Sequence, residues 1–179
     1  MDVDREILVN RLGALALHVT DLIAEATEAA AGRGAMAPAA LSSLSRDRRR
    51  PIEHLRGELH LSHPATVRLV DRLSQDGLVT REPGPDRRTV VPVLTEAGRA
   101  TVQRVTKARR DALAGVLTGL TGEEAQTLGH LLDKLLRAAA PDEPAGGHLC
   151  RLCDVPVCET AGPCPVDAGL AGRGEGPVV

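Results

Sequence analysis

The stretch Leu61-Ser62-His63-Pro64-Ala65-Thr66-Val67-Arg68-Leu69-Val70-Asp71-Arg72-Leu73, closed by Asp76-Gly77, decides the fold. Ser62 is a helix N-cap residue and Pro64 is tolerated only in a first turn, so a helix starts here. Val67, Val70 and Leu73 place apolar side chains on its inner face. Just upstream, Pro51 suits the first turn of a shorter helix carrying Leu55 and Leu59 inward. Two short helices joined by a few residues, the second polar on its outer face, make a helix-turn-helix.

Working outward, Leu78-Val79-Thr80-Arg81 reads as a short strand and Glu82-Pro83-Gly84-Pro85-Asp86 as a turn. Thr89-Val90-Val91-Pro92-Val93 is the return strand, and Pro92 pushes it to an edge position. The hairpin so formed carries Arg87 and Arg88 at its tip. Thr95 caps a helix running to about residue 118. Thr121-Gly122-Glu123-Glu124 is a capping box that opens another, running to about Ala140. On the N-terminal side, Leu8, Leu12, Leu15, Val19, Leu22 and Ala26 recur every three or four residues and predict one long amphipathic helix over 4–30. Asp4 would cap it and Gly32-Arg33-Gly34 would end it. A helix over 38–50 starts at Pro38, turns Leu41 and Leu44 inward, and runs out into Arg46-Asp47-Arg48-Arg49-Arg50. The fold class is mainly α with a small β-hairpin.

The 179 residues include no Phe, Trp or Tyr, so the core must be built from Leu, Val, Ile and Ala. This excludes an aromatic cage for a quaternary ammonium ligand and argues against single strands held by base stacking. The net charge of −2 hides an uneven distribution. Residues 41–110 hold 15 Lys and Arg against 8 Asp and Glu, giving +7, while 1–40 carry −3 and 111–179 carry −6. A basic block between acidic ends points to a polyanion-binding element on a scaffold that does not bind the polyanion. The bland alternative for Arg46, Arg48, Arg49 and Arg50 is a solvated helix end. No run of about 18 apolar residues occurs and the N-terminus is acidic, so we expect no membrane partner, no signal peptide and a cytoplasmic location.

From Leu61 to Gly98 the chain resembles a winged helix-turn-helix repressor of the MarR family. The resemblance is carried by the 61–73 stretch, Asp76-Gly77-Leu78-Val79-Thr80-Arg81, Asp86-Arg87-Arg88 and Leu94-Thr95-Glu96-Ala97-Gly98. It implies a homodimer, flanked by long dimerising helices, on a pseudo-palindromic site in double-stranded DNA. The resemblance covers roughly residues 4–140 and implies three regions, an N-terminal dimerisation helix (1–36), a winged DNA-binding region (37–98) and C-terminal dimerisation helices (99–140), to which the composition adds a Cys-rich metal-binding tail (141–179). Carried over, Ser62, His63, Ala65, Thr66, Arg68 and Arg72 are the recognition-helix candidates. Arg88, with Arg87 beside it, is the wing cation for the minor groove, and Asp86 orients it. Arg is the side chain that reads guanine edges and settles into narrow minor grooves. Three departures stand out. His54-Leu55-Arg56 replaces the family's usual Glu-Leu-Ala, Pro92 sits in the wing, and no aromatic-lined effector pocket can form. Arg72 at helical spacing from Asp76 can alternatively form an ion pair within its own helix.

Residues 141–179 carry six of the 12 prolines and seven of the 18 glycines, so we expect an irregular tail unless its cysteines organise it. All four cysteines of the chain lie there, as Cys150-x2-Cys153-x4-Cys158-x5-Cys164. Four thiolates within fifteen residues can converge on an iron–sulfur cluster or Zn²⁺, and a thiol–disulfide pair is the remaining alternative. We favour the cluster slightly, because a regulator without an aromatic effector pocket needs another input, and redox or iron sensing would supply one. A structural zinc, or a partner-binding tail, is the rival. Pro156, Gly162, Pro163 and Pro165 would shape the turns, and His148 is a candidate substitute ligand. His54, His60 and His63 have spacings unlike a compact metal site, and His18 and His130 read as packed helix residues. No nucleophile–base pair, phosphate loop or catalytic carboxylate pair is present, so no enzyme activity is expected.

Overall fold

The computed structural model describes residues 3–46, 50–84, 89–160 and 162–174. Its described elements run α1 (Val3–Ala31), α2 (Met36–Arg46), α3 (Ile52–Leu59), α4 (His63–Gln75), β1 (Val79–Pro83), β2 (Val90–Leu94), α5 (Glu96–Leu117), α6 (Gly122–Ala139), α7 (Glu143–Leu149), α8 (Val155–Glu159) and α9 (Pro165–Gly174). The mainly α class with one hairpin is as expected.

Local signals fix most boundaries. α1 begins at Val3, which puts Asp4 in the first turn rather than at the cap, where its charge still suits the helix dipole. The helix stops at Gly32, whose φ of 63° is the left-handed conformation that glycine adopts freely. α2 starts two residues before Pro38 and ends at Arg46, short of the expected 50; Arg48 and Arg49 lie outside the described residues. Ser62 caps α4 as expected, its side chain accepting from the Ala65 N–H. Thr95 caps α5 by accepting from Gly98 N at 3.0 Å and donates to Gly77 O at 2.7 Å. The Thr121–Glu124 capping box forms in full.

α2 is the central helix. Its small residues Ala37, Ala39 and Ala40 are buried and let neighbouring backbones close in. Leu41, Leu55, Leu69, Val70, Leu73 and Val79 complete a core shared by α2, α3, α4 and β1. On α4 the buried set is Thr66, Leu69, Val70 and Leu73, while Val67, expected inward, is half-buried. β1 and β2 pair antiparallel with Val79 opposite Leu94 and Arg81 opposite Pro92. In this two-stranded ribbon every strand is an edge, so Pro92 is tolerated, and its ring is fully buried.

The tail departs from expectation. It folds into α7, α8 and α9, with Pro156 in the first turn of α8 and Pro165 opening α9. Prolines that break a long helix are compatible with first turns of short ones. α7 packs on α3, and α9 packs on α6.

α1 packs along α5 but leaves Leu8, Leu12, Leu15 and Leu17 about half exposed or more. α6 likewise exposes Leu131, Leu132 and Leu135. By length and composition α1 is apolar enough to cross a membrane, with a mean hydropathy of 1.4 over its most apolar window. That qualifies the expectation that no segment qualifies as a span.

Candidate nucleic-acid interface and four-cysteine site

Two arrangements carry chemistry. The first is the outer face of α4. Arg68 and Arg72 are exposed there, Ser62 and His63 are exposed at its start, and Ala65 is half-buried. Thr66, a candidate for DNA contact, is instead fully buried, and its hydroxyl donates to Ser62 O at 3.0 Å. It falls one turn before Leu69 and Val70, on the inward face, so it holds the helix and cannot reach a base. His63 Nδ1 lies 2.6 Å from Glu53 Oε1, which ties the start of α4 to α3. Asp76 pairs with Arg33 at 2.7 Å, not with Arg72, and Arg72 stays on the outer face. Asp71 pairs with Arg81, which joins α4 to the wing strand. The wing-tip residues Asp86, Arg87 and Arg88 lie outside the described residues.

The second is the tail. Cys150, Cys153, Cys158 and Cys164 are all free and half-buried, and all four line one cavity of about 590 Å³ together with Arg46 and Glu58. Cys150 ends α7, Cys158 lies in α8, and Cys164 directly precedes α9. Gly162 at φ 128° makes the turn between the last two, a conformation that favours glycine. The thiols interact in pairs. Cys150 donates a hydrogen bond to Cys153, which lowers the Cys153 thiol to about 6, with the Arg109 and Arg46 guanidiniums adding to the shift. The same bond and burial push Cys150 up. Burial and the nearby Cys164 and Cys153 raise Cys158 to about 11. The Arg109 Nε is buried without a hydrogen-bond partner. Of these thiols Cys153 is lowered, and the Arg109 and Arg46 guanidiniums beside it favour its thiolate.

Among the described residues no group of three or more His, Cys, Asp or Glu side chains is drawn together tightly enough to hold a single metal ion. A tetrahedral zinc with Zn–S near 2.3 Å needs sulfurs about 3.8 Å apart. His148, a candidate ligand, places Nδ1 2.8 Å from Glu58 O, and its ring stacks on His60. His54 lies 3.0 Å from Glu58 and His63 contacts Glu53, so the three HTH histidines have three different partners. His18 and His130 are exposed rather than packed, on α1 and α6.

What pure sequence reading missed is Glu58. It is 8% exposed at the end of α3 and receives Ser43, Arg46 at 2.8 Å and His54 at 3.0 Å. Arg46 also donates to Cys150 O at 2.6 Å. It is therefore neither a phosphate contact nor a solvated helix end, but a buried link between α2, α3 and the tail. The departure His54-Leu55-Arg56 is absorbed on α3: His54 serves Glu58, and Arg56 pairs with Glu53 at 2.8 Å.

Two short helices set by a left-handed turn, followed by an antiparallel hairpin, define a winged helix-turn-helix protein. No family model matches the chain. The chain is 33% identical over 85 residues to the uncharacterized HTH-type transcriptional regulator YwhA of Bacillus subtilis, covering 47% of this chain and 61% of that protein. It is 30% identical over 104 residues to the HTH-type transcriptional repressor MdtR of the same organism, covering 58% of this chain and 67% of that protein. Among solved structures it resembles the YusO protein of Bacillus subtilis, with TM-score 0.64, 25% identity, and coverage of 78% of this chain and 100% of that one. It also resembles apo MarR of E. coli, with TM-score 0.59, 28% identity, and coverage of 70% and 96%. The chain belongs to the MarR family of winged-helix transcriptional regulators, and these relatives are regulators, not enzymes. About a fifth of this chain has no counterpart in the YusO structure.

Proposed function

We propose that the protein is a homodimeric DNA-binding repressor whose operator affinity is tuned by an iron–sulfur centre on Cys150, Cys153, Cys158 and Cys164. The observation that carries the DNA reading is the outer face of α4. Its inner face is locked by Thr66, Leu69, Val70 and Leu73, so Arg68 and Arg72 are held on a rigid, solvent-facing rod. Such a helix fits the major groove, and two copies would engage half-sites about 34–36 Å apart. Ser62 and His63 at its N-terminus are placed for phosphate contact.

The bare leucines of α1 and α6 favour a second copy over a membrane. Both helices offer an apolar face, they come from opposite parts of the chain, and a paired copy would cover both. Support for a metal centre comes from the cavity bordered by all four thiols and the Arg46 and Arg109 charges around it. Bound there, a cluster would supply an occupancy- and redox-sensitive element.

The test is direct. Anaerobically purified full-length protein should be coloured and contain iron and sulfide; with no Trp or Tyr, such absorption stands on a nearly blank near-ultraviolet background. A colourless protein with one zinc per chain would replace the cluster by a structural metal. DNA binding is tested separately with duplexes selected from random sequence by the full-length protein. Failure to enrich any sequence would overturn the repressor reading.

A further inference from the structure

His60 is the first of the three residues between the two helices of the reading motif, and its φ is 52°. A non-glycine residue in this region is uncommon and is held there by its surroundings. Its setting controls how α4 leaves α3. The His148 ring lies flat on the His60 ring, with centroids 4.0 Å apart and planes 3° apart. His148 also reaches the Glu58 carbonyl at 2.8 Å, one of the last carbonyls of α3, which have no partner within the helix. Gly147 backs onto Glu58 so closely that a Cβ there would lie 2.9 Å from Glu58 Cγ. Arg46 completes the arrangement by joining Cys150 O to the Glu58 carboxylate. All these contacts come from residues 147–150, the four residues that end on the first cysteine.

We propose that residues 147–150 form a clasp through which the four-cysteine centre sets the turn between α3 and α4, with His148 and Arg46 as positioning residues for the recognition helix. This rests on the reading of the cysteines as an occupied centre. With the four thiols gathered on an occupant, the end of α7 is fixed and the His148–His60 stack stays closed. Without it, the end of α7 is held on α3 only by Arg46 and by the His148–Glu58 contact, and the turn at His60 is less firmly backed. Reciprocity follows: if occupancy changes DNA affinity, DNA must change the affinity for the occupant by the same factor.

The experiment uses full-length protein before and after iron removal by a chelator, titrated on one selected duplex. The parent should show an affinity difference within the roughly 5- to 150-fold range of typical couplings. Two variants are compared with it. His148→Ala removes the stack from the tail side. His60→Gly removes it from the turn side, and glycine takes this backbone conformation freely, so folding is kept. Both should retain the parent's iron and sulfide content and still bind DNA, but with loaded and stripped forms binding alike. DNA should slow iron loss from the parent and not from the variants. Variants that keep the parent's full difference would overturn the clasp and leave the cysteine centre standing. A parent with no difference would overturn both.

Discussion

Replacing Glu58 by Gln tests the buried link at its centre. The carboxylate receives Ser43, Arg46 and His54, and its side chain is only 10% exposed. Gln keeps the shape but removes the charge that Arg46 faces, and its NH2 group fits only on the side toward His54, whose ring nitrogen can accept. Breaking one side of a buried ion pair costs about 3–5 kcal/mol, because the remaining charge stays buried. Arg46 is 18% exposed and keeps its bond to Cys150 O, so the lower end applies, about 3 kcal/mol. For a chain of this size that lowers Tm by roughly 6–12 °C.

The assay is far-ultraviolet circular dichroism, since no Trp or Tyr is present to report unfolding by fluorescence. A second variant checks the cause. Arg46→Met with Glu58→Leu removes both charges at once and should recover much of the lost stability, because apolar replacements of a whole buried pair are often neutral. Glu58→Gln melting within a degree or two of the parent would refute the idea that this pair holds α2 and α3 together.

The joint variant Arg68→Ala, Arg72→Ala should fold normally and bind selected duplexes at least tenfold more weakly, since each bidentate arginine–base pairing removed costs about 1–3 kcal/mol; unchanged binding would show that α4 does not read DNA. Gly98→Ala should destabilise by about 1–3 kcal/mol or more, because a Cβ would lie 2.1 Å from Leu78 O with only backbone to yield; a normal urea midpoint would contradict that close approach. In metal-free protein at pH 7, iodoacetamide should label Cys153 before Cys158, since a thiol at about 6 is mostly thiolate there and one at about 11 is not. That labelling should slow as pH falls through about 6, and peptide mass mapping that finds Cys158 modified first would refute the assignment.

The reading motif was legible because its signals are local. Ser62, Pro64, Thr95 and the Thr121–Glu124 box act within one turn, and each cap formed where expected. Thr66 misled because a motif position says which residue faces DNA in relatives, whereas burial is decided by which neighbours complete the core here. One residue of phase separates Thr66 from Val67, and the packed set 66, 69, 70 and 73 took the threonine inside. Arg46 and Glu58 misled for another reason. Their ion pair forms only when α3 folds back beside α2 twelve residues on, and the Cys150 carbonyl that Arg46 also reaches arrives 104 residues later. The tail's helices were hidden by proline and glycine content, which marks the ends of short helices as readily as the absence of helix.

The fold adds to what the place of the cysteines in the sequence suggests, because the tail contacts the reading motif as well as the last helix of the pair α5 and α6. The fold strings the cysteine segment between two anchors. At one end α7 is pressed on α3 through Gly147 and His148. At the other, α9 crosses α6 so closely that a Cβ on Gly169 would overlap the Arg137 carbonyl, and Arg173 donates to Ala140 O. At the first anchor Gly147 leaves room only for the Glu58 side chain, and at the second Gly169 admits the Arg137 backbone. If the four thiols are gathered as proposed, the elements in contact with that segment are α3, which leads into the DNA-reading helix, and α6, which carries three of the bare leucines. α3 has eight residues and ends in a strained turn, whereas α6 has eighteen and a complete capping box. On the proposed reading, the shorter helix with the left-handed end would yield first, within each protomer.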